Sequence, residues 1–222
     1  MCFSAAQSYN PRSVFAPAPV RFKVADDPSE IEQVFRLAYE TFVEEIPQHP
    51  PNADRRYVDR FHAENTYLVA VSGDEVVGML TIRGARPFSL DEKLEKLGGV
   101  DPFLPPGRRV CELRLLAVRP AFRKGTVFRG LVDLLLDYGR TRGYDLAIIS
   151  GTLRQQKLYR HLGFLPFGPL VGTEAAPFQP MYLPIERLHE AAPSLTAPRT
   201  DPVSFLPGPV AISREVRAAF DR

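Results

Sequence analysis

The sequence predicts one α/β domain in which helices flank a mixed sheet, and three observations support this fold class. Segments with apolar residues at helical spacing alternate with short β-branched runs. The chain has 222 residues, of which 45% are hydrophobic and 24% charged, so it can bury one sizeable core. The 22 prolines are unevenly spread. We therefore predict an N-terminal arm over residues 1–20, a domain over 21–185, and a Pro-rich linker and tail over 186–222.

Composition excludes several classes of protein. A net charge of +2 is too mild to indicate a nucleic-acid partner. Cys2 and Cys111 lie far apart, so we expect no disulfide framework and a cytoplasmic location. We expect no membrane span and no signal peptide, because neither pattern occurs. Removal of Met1 would leave Cys2 as an N-terminal nucleophile, although a plain tail is the favoured interpretation.

The first half of the chain predicts a strand, a helix and a hairpin. Residues 21–24 are a short strand, and Ser29 is predicted to cap the helix that follows. That helix carries one apolar stripe, made of Ile31, Val34, Phe35, Ala38, Phe42 and Val43. Residues 52–65 are predicted to be partly helical. The β-branched runs 66–71 and 76–83 flank turn residues and predict a hairpin.

The stretch 110–143 has the clearest pattern in the chain. An apolar run at 111–118 predicts a buried strand, and a basic turn with Gly125 follows it. Thr126 then opens a helix whose apolar positions are Val127, Leu131, Leu134, Leu135 and Tyr138. Free amides and the helix dipole favour an anion at such a helix start. The stretch therefore predicts a site for a ligand that bears a pyrophosphate.

The connections around this stretch leave alternatives open. The apolar residues of the long connection 84–109 either line a ligand pocket or pack the connection onto the core. After the central helix we predict a strand at 145–150 and a helix at 153–162 that ends at Gly163. Further strands are predicted at 164–171 and 181–183. Residues 177–209 hold eight prolines and indicate a linker.

Two tracts together resemble the GNAT acyltransferase superfamily. The tract ELRLLAVRPAFRKG, at residues 112–125, is similar to its motif A, and LYRHLGF, at 158–164, is similar to its motif B. The resemblance covers roughly residues 21–183 and implies a mixed, mostly antiparallel sheet flanked by helices. It implies an N-acyltransferase that moves an acyl group from an acyl-CoA or acetyl-CoA thioester to the amine of a small acceptor, such as an amino acid. The alternative is a non-catalytic acyl-CoA-binding module that regulates a fused or partner enzyme.

A narrower resemblance lies in the first helix and the stretch after it. FRLAYETFVEEI and RRYVDRFHAENTYLVAV resemble the branch that includes acyl-homoserine-lactone synthases and long-chain N-acyl amino acid synthases. That branch places an Arg and a Phe ahead of a Glu, and Arg36, Phe42 and Glu45 lie in a similar context here. The resemblance implies long acyl groups and an acyl carrier protein as an alternative donor and partner. We expect no metal, because the four histidines and two cysteines show no metal-ligand spacing.

The resemblance also assigns the donor-binding residues. Leu116, Ala117 and Val118 match the strand end that pairs with pantetheine in the superfamily. The pyrophosphate loop falls on six residues in a row, namely Arg123, Lys124, Gly125, Thr126, Val127 and Phe128. Thr126 and Phe128 occupy positions where the superfamily has glycine. Because glycine lets backbone amides approach phosphate closely, we expect the side chain of Phe128 to obstruct that approach.

Acyl transfer to an amine requires a proton acceptor for the amine and a proton donor for the departing thiolate. Glu112 matches the usual position of the general base, and the alternative is a structural ion pair with Arg114 or Arg83. Tyr159 matches the general acid, and the alternative is a core tyrosine. The other candidate acid/base groups are His62 and His161. Cys111 is expected to be buried and unreactive.

The C-terminal stretch FLPGPVAISREVRAAF, at residues 205–220, resembles the opening of class V pyridoxal-phosphate aminotransferases. It implies that the chain is the acyltransferase part of a larger fused protein. A Pro-rich tail that carries a docking helix is the alternative.

Overall fold

The computed structural model describes residues 19–174, 176–185 and 187. Eight strands form one sheet in the order β1-β2-β3-β4-β5-β8-β6, with β7 paired to β8. The strands are β1 Val20–Val24, β2 Asn65–Ser72, β3 Glu75–Arg83, β4 Val110–Val118, β5 Leu146–Thr152, β6 Leu165–Pro166, β7 Val171–Gly172 and β8 Pro177–Pro184. The α-helices are α1 Pro28–Tyr39, α2 Ser89–Lys93, α3 Thr126–Arg142 and α4 Gln156–His161.

The sheet is antiparallel except between β4 and β5, which confirms the mixed, mostly antiparallel fold class. The parallel pairing runs only from Val110 opposite Leu146 to Glu112 opposite Ile148. Beyond that point β4 continues to pair with β3, and β5 continues to pair with β8. The two central strands therefore separate, and a gap opens between them beyond Glu112.

The helices cover both faces of the sheet. Because side chains alternate along a strand, Tyr67 and Val69 pack with α1 on one face, whereas Leu68 and Ala70 pack with α3 on the other. The connection before β4 packs onto the sheet through Phe88, Leu90, Leu94 and Val100, which are buried with Ile148 and Val171. These contacts favour the packing interpretation of the long connection over the pocket wall.

One prediction for the first half of the chain was wrong in detail. The N-cap of α1 is Asp27, whose carboxylate accepts a hydrogen bond of 2.7 Å from the Ser29 amide. Pro28 takes the first helical position, where its missing N–H costs nothing, so the cap falls before Ser29. The helix continues into a π-helical turn, Glu40–Glu45. Residues 52–65 contain a 3₁₀ turn at His62–Glu64, which agrees with the prediction of a partly helical stretch.

The end of the domain differs from the prediction more strongly. The predicted strand at 164–171 is two short strands, β6 and β7, and the predicted linker begins with an ordered strand, β8. Pro177 and Pro184 lie at the two ends of β8, where a missing donor is tolerated. Pro180 lies between the residues paired with β7 and those paired with β6, so neither strand needs its N–H.

Several predictions concern residues outside the described ranges: Cys2, most of the N-terminal arm, and the stretch at 205–220. The boundary proposed at residue 185 stays a prediction. None of the helices in the described ranges combines the length and the apolar character needed to cross a bilayer.

Candidate functional site

The predicted pantetheine-binding residues lie beside the gap between β4 and β5. Leu116, Ala117 and Val118 follow the last β4–β5 pair, so their backbone has β3 on one side and the gap on the other. Leu116 is exposed, and Leu115 adopts a positive φ of 49°, which distorts β4 at this level. An extended ligand could form hydrogen bonds with such an unpaired strand segment.

The basic turn after β4 forms ion pairs with the π-helical turn that follows α1. The Arg123 guanidinium donates to the Val118 carbonyl at 2.8 Å and to Glu45 at 2.6 Å, and this bond to Glu45 raises the pKa of Arg123. Arg119 likewise contacts Glu40 and Glu75, each at 2.8 Å. Both arginines are therefore already paired with carboxylates. Lys124 is exposed at the same turn, next to Gly125, whose φ of 95° favours glycine.

The side chain of Phe128 is turned toward the hydrophobic core. Its ring is half-buried and packs against the cluster that includes Val132, Leu136 and Ile149. The side chain is therefore accommodated between α3 and β5. This packing argues against the expectation that Phe128 obstructs the first amides of α3, and that expectation stays a prediction.

Glu112 is buried and fully engaged by hydrogen-bond donors. One carboxylate oxygen accepts from the Ser89 hydroxyl at 2.5 Å and the Leu90 amide at 3.3 Å; the other accepts from the Ser89 amide at 2.9 Å. Arg114 lies 3.5 Å from the second oxygen. The contact with Arg114 matches the structural ion pair that was the alternative role of Glu112, and the bonds from Ser89 and Leu90 add the start of α2 to this arrangement. The role of general base stays a prediction.

Arg114 links Glu112 to a second buried carboxylate. Its guanidinium donates to the two oxygens of Asp59 at 3.0 and 3.2 Å. Burial opposes the charge of Arg114, but Asp59 and Glu112 outweigh it and raise the pKa of Arg114. Asn65 also donates to Asp59, at 3.1 Å. Arg83, the other expected partner, lies opposite Glu112 in register, stacks on Phe61 and approaches Glu64 to 3.8 Å.

Tyr159 lies at the gap on the β5 side. A Cβ added at Gly151 would lie 3.1 Å from its ring, so the tyrosine packs directly on β5. Its hydroxyl donates to Gln155 at 2.8 Å, and burial raises the pKa of the phenol. A raised pKa keeps the phenol protonated at neutral pH, as a proton donor must be. Both the acid role and the core role are compatible with this position.

The remaining candidate groups are placed less favourably. His161 is exposed, and His62 contacts the Tyr67 hydroxyl at 3.0 Å. Cys111 is buried, as expected, and burial raises the pKa of its thiol to about 12, which favours an unreactive thiol. In the narrower motif, Arg36 pairs with Glu32 and Phe42 is buried, whereas Glu45 binds Arg123. No three His, Cys, Asp or Glu residues in the described ranges are grouped to hold a metal ion.

Sequence reasoning missed three residues in and around the site: Ser89, Lys93 and Asp59. The side chain of Lys93 is exposed overall, but its ammonium donates to the Ser150 hydroxyl at 3.0 Å, and desolvation by the surrounding protein atoms lowers the pKa of Lys93. Asp59 was inconspicuous within a polar stretch. Ser89 and Lys93 lie in a long connection, where no periodicity indicates which side chains face the sheet.

A sheet whose parallel central strands separate beside a glycine turn and a helix start is the architecture of GNAT acyltransferases. The chain is similar to the solved structure of a CoA-dependent acyl-homoserine lactone synthase, BjaI, with SAM and isopentyl-CoA. The TM-score is 0.66 at 20% identity, over 90% of this chain and 97% of that chain. It is also similar to LasI, an AHL synthase, with a TM-score of 0.61 at 16% identity over 78% and 93% of the two chains. These likenesses confirm the fold.

The family follows from the sequence. The model of the family "N-acyl amino acid synthase FeeM" matches residues 33–183, and the chain belongs to this family. It is therefore an acyltransferase of the GNAT type that acts on an amine. The structure of FeeM from uncultured soil microbes matches with a TM-score of 0.60 at 18% identity, over 79% of this chain and 96% of that chain. No curated protein sequence matches the chain. Nothing in these comparisons supports the non-catalytic module.

Proposed function

We propose that the protein joins a fatty acyl group, delivered as a thioester, to the α-amine of an amino acid. The observation that carries the proposal is the gap between β4 and β5, in a chain that belongs to the FeeM family. The gap exposes one backbone edge of β4 to an extended donor, and the phenol of Tyr159 lies on the β5 side. Together they supply a place for the thioester and a proton for the thiolate.

The donor is proposed to be acyl-CoA, with acyl carrier protein as the other candidate. A pantetheine arm is common to both, and residues 116–118 provide a strand segment that such an arm could pair with. The loop of residues 123–128 is proposed to hold the phosphate through the first amides of α3 and through Lys124. The pairing of Arg123 with Glu45 leaves less positive charge there than the loop composition suggested.

The acceptor is proposed to be an amino acid, because the family description names N-acyl amino acid synthesis. The similar structure of BjaI contains SAM, so SAM belongs in the acceptor panel as a rival. Tyr159 is proposed to protonate the departing thiolate. For Glu112 the general-base role competes with the structural role, and its three donors favour the structural one.

The test is thiol release from acyl-CoAs of increasing chain length and from acyl carrier proteins. Each donor is paired with the common amino acids or SAM, and products are identified by mass spectrometry. Tyr159→Phe is expected to lower kcat by about 10²–10³-fold, within the range for a lost general acid. Tyr144→Phe is the matched control, because burial also raises the pKa of Tyr144, which lies away from the gap beside Gly84. Equal activity of the two variants would reject the acid role.

Two further proposals concern context. The cytoplasm is the proposed compartment, on the basis of the two separated cysteines. A fused class V aminotransferase is proposed from the stretch at 205–220. Sequencing the reading frame past Arg222 tests the fusion, and a stop codon at that point contradicts it.

A further inference from the structure

Lys93 lies at the gap through contacts that its sequence position does not indicate. Its ammonium is 3.0 Å from the Ser150 hydroxyl and 5.2 Å from the centre of the Phe178 ring. Ser150 lies two residues beyond Ile148, the last β5 residue paired with β4. The ammonium is therefore held on the part of β5 from which β4 has already separated.

Lys93 and Tyr159 approach this part of β5 from opposite faces of the sheet. Ser150 and Gly151 are consecutive strand residues, so their side-chain directions point to opposite faces. Lys93 contacts the side of Ser150, and the ring of Tyr159 packs on the side of Gly151. A thioester carbonyl placed in the gap would have the Lys93 ammonium group on one side and the Tyr159 phenol on the other. Acyl transfer needs this arrangement, because the nucleophile and the leaving group both require proton transfer.

The bonds of Glu112 explain how Lys93 is positioned. Glu112 accepts from the Ser89 and Leu90 amides, which fixes the first turn of α2 against β4. Lys93 lies four residues after Ser89, so the two residues share one side of the helix. Glu112 thus holds α2 in the orientation that brings Lys93 to Ser150.

We propose that Lys93 is the general base for the acceptor amine and that Glu112 is a positioning residue for it. The inference rests on the proposed function. Neutral Nζ of Lys93 takes one proton from the acceptor ammonium, and the freed amine attacks the thioester carbonyl carbon. The C–N bond forms and the C–S bond breaks. Tyr159 gives its proton to the thiolate, and the second nitrogen proton returns to the phenolate through solvent. Lys93 then releases its proton to solvent.

The surroundings of Lys93 favour loss of its proton, which a general base requires. Burial lowers its pKa from the ordinary 10.5; Arg114 and Arg60 act in the same direction, whereas Glu112 and Glu92 oppose it. Glu112 is already balanced by Arg114 and by three donors, and Glu92 pairs with Arg60. A base acts only when deprotonated, so kcat must rise with pH through the pKa of Lys93.

Two substitutions separate a base from a cation at this position. Lys93→Arg keeps a positive charge but cannot act as a base near neutral pH, because a guanidinium stays protonated. Lys93→Met removes the charge and keeps an unbranched apolar side chain over Phe178. We expect both variants to lower kcat by about 10²–10³-fold and to lose the rising limb of the wild-type kcat–pH profile. Lys96→Met is the matched control, because Lys96 is an exposed lysine three residues away.

The outcomes are distinct. If the wild-type protein turns over no donor–acceptor pair, the proposed function and the base role both fail. If the wild-type protein is active and Lys93→Arg retains its kcat and pH profile, Lys93 is not the base. A rise in KM for the acceptor in Lys93→Met, with Lys93→Arg unaffected, would identify a carboxylate-binding cation and overturn the proposal. Equal loss of kcat in both variants, with wild-type-like unfolding curves, supports it.

Discussion

Replacement of Glu112 by alanine should destabilise the fold strongly, since the carboxylate is the partner of several buried donors. The substitution leaves the Ser89 amide, the Ser89 hydroxyl and the Leu90 amide without an acceptor, and it leaves Arg114 with Asp59 alone. Removing one partner from a buried ionic network typically costs about 3–5 kcal/mol. Glu112→Gln should cost only about 1–2 kcal/mol, because its oxygen can keep the Ser89 amide while its NH₂ group donates to the hydroxyl.

Urea denaturation measures this difference. With an m-value of about 2 kcal/mol/M, the alanine variant should unfold at a midpoint about 1.5–2.5 M lower. Glu44→Ala is the control, because Glu44 is an exposed carboxylate paired with Arg55, and its loss should cost under about 1 kcal/mol. An alanine variant within 1 kcal/mol of wild type would refute the anchoring role. Loss of activity in Glu112→Gln without loss of stability, together with unchanged activity in Lys93→Arg, would return the base role to Glu112.

Three further predictions follow from other contacts. Gly130→Ala should destabilise the fold by about 1–2 kcal/mol although alanine has the better helix propensity, because the added Cβ would lie 2.0 Å from the buried Phe22 ring. Gly139→Ala in the same helix is the control, because its Cβ would lie 3.4 Å from Ile185. Thermal unfolding should show this second variant to be as stable as the wild type or more stable. The bond to Arg123 lowers the pKa of Glu45 below its ordinary 4.5. This ion pair therefore stabilises the fold above pH 4.5, and its contribution is lost as the pH falls through the lower pKa that Glu45 has in the folded state. Acid unfolding of Glu45→Gln should lack this pH-dependent contribution to stability. Cys111 should react with a thiol reagent only on unfolding, and native-state labelling in a Cys2→Ser background would contradict its burial.

Local patterns predicted the elements that frame the site. The apolar run and the basic glycine turn indicated β4 and the start of α3, which the structure places at Val110–Val118 and Thr126. The hairpin was also predicted, and β2 and β3 pair antiparallel. These features depend on side-chain periodicity and turn chemistry over a few residues, which a sequence displays directly.

Contacts between distant segments could not be predicted in the same way. Ser89 precedes Glu112 by 23 residues, and Arg123 follows Glu45 by 78, so neither pairing leaves a local signal. Proline content pointed to a linker at 177–209, yet Pro177–Pro184 is a strand, because its prolines occupy positions where no donor is required. Likewise, the orientation of Phe128 depends on the surface that α3 meets.

The position of β8 has a consequence for synthesis of the protein on the ribosome. β8 lies between β5 and β6, although it is the last strand of the described chain. Until Pro177–Pro184 has emerged, β5 has a neighbour on one side only, and the backbone of its apolar stretch Leu146–Ile149 is exposed to pairing with other chains. Nascent chains stalled before this strand should therefore be more prone to aggregate, and more dependent on chaperones, than chains stalled after it.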